Sequence, residues 1–121
     1  MATKRTVTRL AAYERRYREL ARQFADIGYI ASGSVARRFN RCGKPNCACH
    51  HDPPSLHGPY WQWTAKLNGK TINRRLTDQE AELYNEWIAN DRRARTLLAE
   101  MRRTATKATE LILNETTREA S

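Results

Sequence analysis

All three cysteines and all three histidines of the chain fall in one run, RCGKPNCACHHDPPSLHGPYW, from Arg41 to Trp61. Cys42, Cys47 and Cys49 with one histidine make four soft or borderline donors, and four such donors in a tetrahedron are the chemistry of structural zinc. With His57 as the fourth donor the spacing is C-x4-C-x-C-x7-H, contained in 16 residues. His57 is preferred because it stands at the exit of the segment, with His50 and His51 as competing ligands. The usual knuckle step is C-x2-C, so this is not a standard finger. Gly43 and Pro45 shape the turn between the first two thiols, while Pro53, Pro54 and Gly58-Pro59 stiffen the return.

Two other chemistries compete with zinc. The thiols can be inert and packed, as buried cysteines commonly are. Alternatively one thiolate is a nucleophile, its pKa lowered by Arg41 and Lys44. Asp52 is the only clear orienting carboxylate in the segment, and no oxyanion hole is legible. Three thiolates favour a closed structural site over one with an open water position, so no enzymatic activity is expected. A metal also stabilises most where a small domain is short of core. NGKT at 68–71 does not complete a phosphate-binding loop, because Thr64 stands where the motif needs glycine.

The elements that position these donors follow from hydrophobic spacing. Leu10, Tyr13, Tyr17, Leu20, Phe24 and Ile27 alternate steps of three and four, which predicts a helix over 6–28 that Gly28 ends. SVARRFNR alternates with period two and reads as a strand. Asn68-Gly69 between YWQWTAKL and KTINRRL is a two-residue hairpin signal. Thr77 and Glu80 form a capping box that opens a long second helix over 77–113, with a frayed tail over 114–121. Its stripe reads Tyr84, Trp87, Asp91, Ala94, Leu98, Met101, Ala105, Ala108 and Ile112. The expected fold is therefore α+β, a single domain over 1–121. A small three-stranded antiparallel sheet over 33–76 carries a zinc-knuckle-like Cys/His loop and is flanked by two heptad-patterned helices. The helices bury their stripes as an antiparallel hairpin or in a coiled-coil dimer.

Charge bounds the partners. The chain has 22 Lys/Arg against 13 Asp/Glu, a net charge of +9, and its mean hydropathy is −0.83. Between Gly33 and Leu76 eight basic residues face the single acid Asp52. Such a local surplus attracts polyanions through counterion release, nucleic acid above all. Arg37, Arg38, Arg41, Lys44, Lys66, Lys70, Asn73, Arg74 and Arg75 are the candidate contacts. Strand alternation puts Gln62, Thr64, Lys66, Asn73 and Arg75 on one face, and such side chains reach base edges and phosphates when strands lie in a groove. Trp61 and Trp63 fall on the opposite, core-facing side. No apolar run approaches the roughly 20 residues of a membrane span. The charged N-terminal residues lack an apolar signal core, and an odd cysteine count argues against structural disulfides, so a cytoplasmic setting is expected.

GSVARRFNRCGKPNCAC, HGPYWQWTAKLNGKTINRRL and the long charged helix resemble a bacterial family of small proteins labelled as a domain of unknown function. The family signature is G-S-x-x-x-R, C-G-K-x-x-C-x-C, H-G-P-Y and a G-K-T turn. The resemblance spans about residues 33–103 and carries onto Cys42, Gly43, Lys44, Cys47, Cys49, His57, Gly58, Pro59, Tyr60, Gly69, Lys70 and Thr71. It implies no reaction. Members look like companions of mobile elements, which hints at DNA. The doubled His50-His51 and the HHDPPSL connection depart from the pattern. On pattern alone, a three-stranded sheet followed by a helix is also similar to the arm-type DNA-binding modules of tyrosine integrases.

The resulting expectation is a nucleic-acid-binding accessory or regulatory protein, more for DNA than RNA, with structural zinc and with helices free for homodimerisation or a partner protein. The alternative is a coiled-coil interaction subunit that binds no nucleic acid.

Overall fold

The computed structural model describes residues 3–120. In order come α1 (Lys4–Ala25), β1 (Ser34–Asn40), a 3-10 turn (Ala48–His50), β2 (His57–Leu67), β3 (Lys70–Leu76) and α2 (Asp78–Ala120). The described residues form two compact units, one of residues 29–91 and a mainly helical one of residues 3–28 with 92–120.

In the 29–91 unit the three strands make an antiparallel sheet in the order β1-β2-β3. Asn68 and Gly69 turn β2 into β3 with φ of 52° and 78°, the two positive values a type I′ turn demands. That turn sets Thr64 opposite Asn73 and Trp63 opposite Arg74. One sheet face packs on residues 78–91 of α2, where Trp63, Ala65, Leu76, Ala81 and Ile88 are buried. Trp63 and Tyr84 rings meet at 4.8 Å between centroids, and the indole N–H of Trp63 donates to the Ser32 carbonyl at 2.8 Å. The indole N–H of Trp61 donates to Asp78 Oδ1 at 2.9 Å, so both indoles are core residues with their polar edge satisfied. The expected capping box is reciprocal: Thr77 N–H donates to Glu80 Oε1 at 3.0 Å and Glu80 N–H to Thr77 Oγ1 at 3.1 Å. Residues 78–91 of α2 carry five carboxylates and no base.

In the helical unit Arg16 meets Glu100 at 3.2 Å and Arg93 meets Gln23 at 3.4 Å, pairings that run antiparallel. Of the two packings the stripes allow, the chain therefore forms the antiparallel hairpin within itself. Thr3 accepts the Thr6 N–H through its hydroxyl, so α1 starts two residues before the expected 6. It ends at Ala25, with Asp26 N–H donating to the Arg22 and Gln23 carbonyls, ahead of Gly28. Nothing in 114–120 breaks a helix, and α2 runs to Ala120 instead of fraying at 114.

The α2 stripe also differs from the expected one. Ala94 and Leu97 are buried, with Met101, Thr104, Ala108 and Leu111 half-buried behind them. Leu98 and Ile112 are exposed at 38% and 49%. The seam takes a step of three after Ala94, where the stripe inferred from apolarity takes four, because Leu97 and Leu98 are equally apolar and only packing separates them. Accordingly, Leu97→Ala should lower stability in urea titrations by about 2–4 kcal/mol and Leu98→Ala by less than about 1 kcal/mol; the reverse order would restore the expected stripe.

Candidate metal centre and basic sheet face

β1 ends at Asn40 and β2 begins at His57, and these two residues are paired across the sheet after a register shift between Arg38 and Asn40. The intervening loop thus starts and finishes at the same place. Cys42 lies just beyond one strand end, and His57 is the first residue of the other. Within the loop Cys47 N–H donates to the Lys44 carbonyl at 3.1 Å, His50 N–H to Cys47 at 3.0 Å, and both His51 and Ser55 N–H to Ala48, at 3.1 and 3.0 Å. These turns fold Cys47 and Cys49 back onto Cys42. Gly58 makes the exit possible: its φ is 122°, and a Cβ there would stand 2.7 Å from the Arg38 carbonyl oxygen.

The result is that Cys42, Cys47, Cys49 and His57 bring their donor atoms within 4.8 Å of one another. The Cys42 and Cys49 sulfurs are 3.6 Å apart, and Cys47 Sγ is 3.2 Å from His57 Nε2. A zinc tetrahedron with Zn–S near 2.3 Å has S–S edges of roughly 3.8 Å and slightly shorter S–N edges, so the donor set fits that ion. The Cys42 N–H donates to Cys49 Sγ at 3.2 Å, the kind of bond that stabilises a thiolate. Cys49 is buried, Cys42 and Cys47 are half-buried and His57 is exposed, so the cluster has a closed end and an open end. Of the competing histidines, His50 has Nε2 at 2.6 Å from the Cys42 carbonyl oxygen, and exposed His51 stands outside the group. Geometry selects His57.

The thiols differ. The Cys49 backbone N–H, then the Cys49 and Cys42 thiols, lower the Cys47 pKa from its ordinary 9.0 to about 6. Burial, first of several causes, raises that of Cys49.

The open face of the sheet carries Arg38, Gln62, Thr64, Lys66, Asn73 and Arg75, and no carboxylate. Asn73 Oδ1 accepts from Gln62 Nε2 at 2.8 Å and from Thr64 Oγ1 at 2.9 Å. The Arg75 guanidinium stands 4.5 Å from the Tyr60 ring centroid. Of the nine candidate contacts, Arg38, Lys66, Asn73 and Arg75 share this face. Arg37, Lys70 and Arg74 point to the other side: Arg37 lies over the Trp61 ring at 5.5 Å, and Arg74 Nη1 donates to the Tyr84 hydroxyl at 3.4 Å. Arg41 and Lys44 are exposed in the donor loop. Tyr60 is not among the residues that charge singles out, yet it shares strand parity with Gln62, which the hairpin register sets opposite Arg75.

The family described as a domain of unknown function, DUF6788, matches residues 10–85. No curated protein and no solved structure matches the chain. Among the described residues no helix is long and apolar enough to cross a membrane.

Two outcomes are expected. Native mass spectrometry should find one zinc per chain, lost in Cys47→Ser and His57→Ala and kept in His51→Ala. In metal-free protein, iodoacetamide should label Cys47 first, at a rate that rises as pH passes about 6, and Cys49 last. Because the folded Cys47 pKa is depressed, its contribution to stability is complete above 9.0 and disappears as pH falls through about 6.

Proposed function

We propose a nucleic-acid-binding role, without catalysis, for this chain, which belongs to the DUF6788 family. Zinc held by Cys42, Cys47, Cys49 and His57 would fix the β1–β2 loop, and the open sheet face would meet the polyanion. The observation that carries this reading is the composition of that face: three cations, three polar side chains able to read base edges, and no acid. Behind the sheet, residues 78–91 of α2 set five carboxylates against Arg37, Lys70 and Arg74, so the cationic surplus lies on the open face. Arg41 and Lys44 extend the cationic surface into the donor loop.

DNA is favoured over RNA by shape. A β2–β3 hairpin whose open face presents Lys66, Asn73 and Arg75 fits a B-form major groove about 12 Å wide, whereas the A-form major groove is too narrow for side chains to read. A closed donor set of three thiols and an imidazole supports a structural metal and gives no reason to invoke hydrolysis. A regulatory or accessory role beside a mobile element is the setting that the likeness to such companions suggests.

Titrations of duplex DNA against salt test this. Replacing Arg38, Lys66 and Arg75 together by Gln should weaken binding and lower the salt slope by about 3, near 0.9 for each phosphate that is no longer neutralised. Arg37→Gln and Arg74→Gln should change the slope little. A wild-type chain that ignores duplex DNA at low salt, or a triple variant that binds as well as its parent, would remove the assignment.

A further inference from the structure

The helical unit has apolar surface that its own seam leaves uncovered. Val7, Leu10 and Ala11 of α1 and Ala108 and Ile112 of α2, with Glu14, line an open groove of about 420 Å³. Val7 is 55% exposed and Ile112 49%. Leu98, Ala105 and Ile112 follow one another at heptad steps, so they form a second apolar line on α2 beside the seam. The apolar arc of α2 is therefore wider than the single helix packed on it, and its geometry fits a third helix.

Charge says which kind of helix. The unit holds 14 Lys/Arg against 7 Asp/Glu. Three of those carboxylates already face arginines within the unit, Glu14 with Arg18, Glu19 with Arg22 and Glu100 with Arg16. Lys4, Arg15 and Arg102 have no ion pair among the described residues, and each stands one turn from a residue of the apolar lines: Val7, Ala11 and Ala105. A second copy of this chain would set the surplus against itself, while an acidic helix would neutralise it. We propose that this groove seats an amphipathic helix of a partner protein whose polar face is acidic. None of its residues belongs to the metal centre or the sheet face, so it stands or falls separately from nucleic-acid binding.

The test uses the full chain and two labelled synthetic helices of about three heptads, both with Leu at the a and d positions. One carries Glu and Ala elsewhere, the other Lys and Ala. Fluorescence anisotropy should show the Glu helix binding at least about tenfold tighter than the Lys helix, and less tightly as salt rises. Val7→Asp and Ile112→Asp, both at exposed positions, should each weaken it about tenfold with unchanged circular dichroism. The proposal is overturned if the Glu helix does not bind, if both helices bind alike, or if neither substitution matters. It is equally overturned if the chain sediments as a dimer that Ile112→Asp dissociates, since the groove would then belong to a second copy.

Discussion

The convergence of four donor side chains at the root of the β1–β2 connection is the constraint on which the 29–91 unit turns. A loop of this length closes at an entropic cost that apolar burial would ordinarily offset, and here Cys49 is the only buried residue between the two strands. What holds the loop instead is a set of short-range turns, a bulged strand end and the approach of three sulfurs and one imidazole. Each part needs the others. The Asn40–His57 pairing brings the loop ends together, and the close passage of Gly58 against the Arg38 carbonyl keeps β2 against β1 as it leaves the donors.

From that root the sheet divides into a buried and an open side. Both indoles turn inward and satisfy their N–H groups, which leaves the opposite parity free for polar side chains. Those side chains are already ordered: Asn73 is held by Gln62 and Thr64, and Arg75 lies along Tyr60. Groups fixed before contact lose less rotamer freedom on binding, which on the proposed reading would let a modest surface gain affinity without added area.

Much of this is legible in the sequence because the signals are local. Asn68-Gly69 dictates a two-residue turn, the turn dictates the register, and the register places Thr64 against Asn73. The capping box at Thr77 and Glu80 is likewise a matter of adjacent residues. The donor set is legible in kind, since cysteine and histidine crowd into one segment, but not in membership. Choosing among His50, His51 and His57 requires the fold, because His50 is taken up by the Cys42 carbonyl through a 3-10 turn that no spacing announces. Charge alone groups Arg37 and Arg74 with the cations of the open face, whereas strand parity sends them to the aromatic side. The α2 seam is misread where two leucines stand side by side and hydrophobicity does not rank them.

Residues 78–91 of α2 set five carboxylates against Arg37, Lys70 and Arg74 on one side of the sheet, while the open face holds cations and no acid, which gives the 29–91 unit an electric polarity across the thickness of the sheet. A polyanion drifting past is pulled at one surface and pushed at the other, within the roughly 8 Å over which physiological salt lets charges act. On the proposed nucleic-acid reading, that asymmetry would turn the open face toward a polyanion during encounter, so carboxylates on the far side of the sheet would raise the association rate by disfavouring the backward approach.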